Sequence, residues 1–125
     1  MDDMMTFRVQ IYTQDYESVC SFYQNILKLP VLIKRETDKD DRVIVYKAAS
    51  GEIEVIYSPD NMETPKSCGW TVQIQVDNID SFYELILKSD YRVLREPQDQ
   101  FWGHRNLKVL DPTGLELTFF SPKNN

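Results

Sequence analysis

The side chains that could do chemistry in this chain are few. There is one histidine, His104, and two cysteines, Cys20 and Cys68. No serine or cysteine stands in a nucleophile motif beside His104, so it reads as a loop or strand-edge residue in preference to a general base. The cysteines have neither CxxC spacing nor a histidine nearby, which fits thiols better than a zinc site or a disulfide. What remains is a set of polar and aromatic side chains at strand spacing. Arg8, Gln10 and Tyr12 alternate with Val9, Ile11 and Thr13, and Thr71, Gln73 and Gln75 alternate with Val72, Ile74 and Val76. Such a pattern gives each strand one covered face and one polar face able to contact a ligand. Phe101, Trp102, Trp70 and Tyr12 are the rings available for stacking, Trp70 sharing the apolar face of Val72 and Ile74.

These polar rows are positioned by a repeat. Val9-Gln10-Ile11 recurs as Val72-Gln73-Ile74, 63 residues on, with Ser18 on Ser81, Arg42 on Arg105, Gly51 on Gly114 and Ser58-Pro59 on Ser121-Pro122. Within it, Ser21-Phe22-Tyr23 recurs as Ser81-Phe82-Tyr83 at an offset of 60, about one helical turn less. The chain therefore reads as one domain, 1–125, built from module one (1–63) and module two (64–125). Each module is predicted as strand, helix and three strands. The first helix is expected to start at a capping Asp15 and run until Pro30, followed by strands near 31–36, 42–48 and 51–57, with Gly51 in the last turn. The second helix is capped by Asn78, with strands near 91–95, 105–110 and 115–120 after it. The mixed run Lys34 to Arg42 is expected to be a solvated loop, and 58–65 a linker.

Composition bounds the function. With 42% apolar and 12% aromatic residues in 125, the chain can bury a real core, and a net charge of −6 argues against a nucleic-acid surface. No apolar run reaches membrane-spanning length, and Met1-Asp2-Asp3 is acidic where a secretory leader needs positive charge, so a cytoplasmic location is expected. The acidic surface would steer a cationic ligand.

The βαβββ order, Trp102-Gly103-His104-Arg105 and the turn Asp111-Pro112-Thr113-Gly114 together resemble the vicinal oxygen chelate superfamily, which contains glyoxalase I, bleomycin-resistance proteins and extradiol dioxygenases. The resemblance implies an α+β fold: two tandem βαβββ modules forming a curved, partly open, antiparallel-rich sheet cup with the helices outside. It also implies a homodimer. Metalloenzymes of the family take one ligand from the first strand of each module and one from the last; the matching positions here are Arg8, Thr71, Thr118 and, through Ile53-Glu54-Val55, Glu54. The repeat offset would instead set Val55 against Thr118. An arginine cannot ligate and a threonine hydroxyl is a poor ligand, so no metal and no cofactor are expected, the residues point to no particular catalytic group, and Glu54 is expected to pair with Arg8. The function implied is metal-free binding or sequestration of a small molecule, cationic and aromatic in character, by Arg8, Gln10, Tyr12, Glu54, Thr71, Gln73, Trp102 and Thr118. A divergent lyase or dioxygenase of the same fold and a non-catalytic interaction module are the alternatives.

Overall fold

The computed structural model describes residues 6–60 and 71–123. Cys68, Trp70 and most of the expected linker lie outside them. The chain divides into two compact units, Met1–Glu63 and Thr64–Asn125.

In the first unit, β1 (Arg8–Thr13), β2 (Val31–Asp38), β3 (Asp41–Ala48) and β4 (Gly51–Tyr57) form a sheet of order β1-β4-β3-β2. β1 runs parallel to β4 and the other pairs are antiparallel. Alternation puts Ile11, Ile53, Val55, Ile44 and Tyr46 against the helix, where all are buried. The helix α1 (Tyr16–Ser21) widens into a π segment, Phe22–Ile26, closed by the Leu27 N–H on the Phe22 carbonyl at 3.1 Å. Lys28, at φ 56°, ends it. The helix thus stops short of Pro30, and Ile26 and Leu27 are only half-buried, while Tyr16, Val19, Cys20, Phe22 and Tyr23 form its core face. Asp15 makes no side-chain cap; its carbonyl accepts from the Val19 N–H at 3.0 Å, and Thr13 Oγ1 accepts from the Asp15 N–H at 2.9 Å.

Two other expectations are corrected here. The charged run 34–42 is not a loop but the two arms of the β2–β3 hairpin, tied by Arg35 to Asp41 at 2.9 Å and by Asp38 Oδ1, which accepts from the Asp40 and Asp41 N–H groups. In the β3–β4 turn the left-handed residue is Ala49, φ 55°, and Gly51 serves close approach: a Cβ there would sit 3.2 Å from the Phe7 carbonyl.

The second unit repeats the plan with β5 (Val72–Gln75), β6 (Val93–Asp99), β7 (His104–Leu110) and β8 (Glu116–Pro122) in the order β5-β8-β7-β6. Leu107, Val109, Leu117 and Phe119 are fully buried, and Phe82 of α2 (Ile79–Lys88) lies against Phe119 with ring centroids 4.4 Å apart. Asn78 caps α2, its side chain accepting from the Ser81 N–H at 3.0 Å. The β7–β8 turn is built on Asp111, whose Oδ1 accepts from the Thr113 and Leu115 N–H groups, both at 2.8 Å, while Gly114 supplies φ 91°. Among the described residues no helix is long and apolar enough to cross a membrane.

Candidate functional site

The candidate residues fall on the sheet faces turned away from the helices. In the first unit the parallel register pairs Arg8 with Glu52, Gln10 with Glu54 and Tyr12 with Ile56. Paired residues of neighbouring strands point to the same side, so Arg8, Gln10, Glu52 and Glu54 form one polar group there. Arg8 Nη2 lies 2.7 Å from Glu52 Oε1, and Nε donates to the same oxygen at 3.0 Å. Glu54 stands at 3.9 Å from Arg8 and instead accepts from Gln10 Nε2 at 2.7 Å. The expected Arg8–Glu54 ion pair is thus present but long, and the closer partner of Arg8 is Glu52. Hydrogen bonding to Glu52, with lesser help from both carboxylate charges, pushes the Arg8 guanidinium above its ordinary range.

In the second unit Gln73 pairs with Thr118, and Thr118 with Lys108 on its other side. Thr118 is buried, and Thr71 Oγ1 donates to the Glu116 carbonyl at 3.1 Å. Lys108 Nζ lies 3.2 Å from Glu116 and opposite Arg95 of β6. Arg95 Nη2 donates to Asn106 Oδ1, which also accepts from Gln100 Nε2 at 3.1 Å. Beyond Asn106, the His104 ring stacks on Phe120 at 4.4 Å and 22°, and its Nδ1 is buried with no hydrogen-bond partner. Trp102 lies off the sheet in the β6–β7 turn, half-exposed, edge-on to Phe101 at 4.9 Å.

The eight sequence candidates thus separate into Arg8, Gln10, Tyr12 and Glu54 on one sheet, Thr71, Gln73 and Thr118 on the other, and Trp102 in a turn. Sequence reasoning missed Glu52, Arg95 and Asn106. Glu52 shares the alternation parity of Glu54, which could have found it; Arg95 and Asn106 are brought together by a register shift between Arg95 and Gln98 that no periodicity announces.

The four positions that the family would use for metal do not suit one. Arg8 is cationic and engaged, Thr71 donates its hydroxyl to backbone, Thr118 offers only a hydroxyl, and Glu54 is hydrogen-bonded by Gln10. Among the described residues no group of three or more His, Cys, Asp or Glu side chains could hold an ion.

Residues 6–119 match the Glyoxalase/Bleomycin resistance protein/Dioxygenase superfamily, and the chain belongs to it. No curated protein matches the sequence. Among solved structures it is similar to TioX from Micromonospora sp. ML1, with a TM-score of 0.72 and 16% identity over 94% of this chain and 98% of that one. The fosfomycin resistance protein FosX from Listeria monocytogenes matches at TM-score 0.72 and 13% identity, covering 96% and 93%. A lactoylglutathione lyase from Agrobacterium tumefaciens matches at 0.64 and 12%, covering 95% and 94%. At these identities the likeness is one of fold.

Proposed function

We propose that this protein binds and sequesters a small organic molecule on the helix-distal faces of its sheets, without a metal and without making or breaking bonds. The observation that carries the reading is the state of the family's ligand positions: a cation already paired at Arg8, hydroxyls at Thr71 and Thr118, and Glu54 held by Gln10. Side chains of this kind orient a ligand by hydrogen bonds and charge. Trp102 supplies an exposed ring for an aromatic portion. A homodimer in the cytoplasm completes the reading. The net charge of −6 favours cations at long range, whereas at contact distance Glu52 and Glu54 already have partners. The charge of the ligand is therefore set by side chains that lack a counter-ion.

The test is a thermal-shift panel of aromatic compounds that are cationic, neutral or anionic, followed by tryptophan fluorescence. At least one class should raise the melting temperature, as a ligand bound only to the folded state must. The same class should quench fluorescence in the parent protein and much less in Trp102→Ala. A panel in which no class stabilises the protein would sink the binding reading and favour an interaction module.

A further inference from the structure

We propose that the helix-distal face of the second sheet carries an oxyanion subsite, formed by Arg95 and the neighbouring Lys108, that takes the carboxylate or phosphonate group of a small organic ligand. The inference rests on the ligand-binding reading and specifies the chemistry of one of its faces.

Arg95 and Lys108 are cross-strand partners on the same face, each only partly exposed. Like charges set directly opposite one another destabilise a strand pair, more so as water is withdrawn from them. Lys108 has Glu116 at 3.2 Å, but among the described residues no carboxylate pairs with Arg95. Its Nη2 is fixed by Asn106, a residue only 2% exposed, and its Nε is buried with no hydrogen-bond partner. An arginine cannot shed its proton to escape this, so the site holds a standing positive charge whose orientation is set and whose counter-ion is missing.

The neighbours suit an oxyanion. Lys108 lies directly opposite Arg95 across β6–β7, and Gln100 Nε2 donates to the same Asn106 oxygen that holds Arg95. A planar guanidinium donates paired N–H groups to carboxylate or phosphonate oxygens, and Lys108 adds a second cation on the adjoining strand. The first sheet differs: on β2–β3, the strands equivalent to β6–β7, Lys34, Arg35 and Arg42 each have a carboxylate within 4.0 Å, and on β1 Arg8 has Glu52 at 2.7 Å. The two faces are therefore not equivalent, and the unpaired one is basic.

The test is calorimetric titration of the full chain with four probes of one shape: benzoate, phenylphosphonate, benzyl alcohol and benzyltrimethylammonium. The two oxyanions should bind about tenfold or more tightly than the alcohol and the cation, and Arg95→Gln should weaken them by about tenfold, with Arg95→Lys between. Benzoate against phenylphosphonate tells a planar from a tetrahedral preference. Should Arg95→Gln fold poorly, Lys108→Gln, which keeps the Arg95–Asn106 contact, should still weaken the oxyanions by about threefold. Oxyanion binding unchanged in these variants, or preference for the cation, overturns the subsite while leaving ligand binding in place. Failure of all four probes while the thermal-shift panel yields a ligand overturns the subsite alone; failure of both removes the binding reading as well.

Discussion

Gln10 Nε2 donates to Glu54 Oε1 at 2.7 Å across the parallel pair β1–β4, and Arg8 Nη1 stands 3.9 Å from the same oxygen, so the first sheet's carboxylate lies beside a fixed cation. The counterpart of Gln10 and Glu54 by register in the second sheet is Gln73 opposite Thr118, where the carboxylate is replaced by a hydroxyl. The same glutamine in both first strands thus faces a different chemistry in each last strand.

The ion pairing around Arg8 gives a double-mutant test. Arg8→Ala combined with Glu52→Ala should lose clearly less stability than the two single changes added, because the pair is in direct contact at 2.7 Å. Combined with Glu54→Ala, at 3.9 Å, the departure from additivity should be smaller. The Arg8–Glu52 coupling should shrink at high salt, since Arg8 is solvent-accessible. Equal coupling to both glutamates in denaturant titrations would contradict the assigned partner.

Arg105, the arginine of the Trp-Gly-His-Arg motif, should be a stabilising residue. Its Nη2 lies 2.9 Å from Asp80 in the first turn of α2, and its Nη1 3.2 Å from Asp99 on β6, so it ties helix to sheet edge. Both aspartates are largely exposed, which limits the loss in Arg105→Ala to about 1 kcal/mol. Arg105→Lys should recover little, because one ammonium cannot span both carboxylates. A loss of ligand binding with unchanged stability would give Arg105 a different role.

Alkaline pH should destabilise the first unit. Burial pushes the Cys20 thiol and the Tyr16 and Tyr46 hydroxyls above their ordinary values of 9.0 and 10.0. The fold holds these groups protonated while the unfolded chain ionises them at ordinary values, so their contribution is complete below about pH 9 and lost progressively above it. Denaturation midpoints should be flat from about pH 7 to about pH 8.5 and fall beyond. Cys20 should also resist alkylation in the native protein, followed by peptide mass spectrometry. Rapid alkylation of Cys20 at neutral pH would contradict its burial.

Element order and most strand limits were legible because alternation and the repeat are strong local signals; β4 was placed at 51–57, its observed span. The last strand shows where the repeat misleads. Val9 pairs with Ile53 and Val72 with Leu117, so β8 follows β4 at an offset of 64 while β5 follows β1 at 63. Identical residues such as Ser58 and Ser121 therefore do not occupy equivalent places, and Glu54, not Val55, is the counterpart of Thr118. One added residue in the β7–β8 turn is enough to produce this, and a one-residue slip moves a side chain to the other face. The helix end was misjudged because a π segment leaves no mark in apolar spacing. Phe7 continues the alternation of Val9 and Ile11 yet is 75% exposed: it precedes β1, and the β4 residue at its side is Gly51, which has no side chain to cover it.

The central claim is ligand binding that needs no metal, and one measurement addresses it directly. Protein stripped with a chelator and protein supplemented with zinc, nickel or manganese are titrated with the compound that stabilises the parent best. Equal affinities in both preparations, with well under one equivalent of metal retained after desalting, are the predicted result. Binding that appears only with added metal, and disappears in Glu54→Gln, would contradict it and make the chain a metal-dependent member of its superfamily.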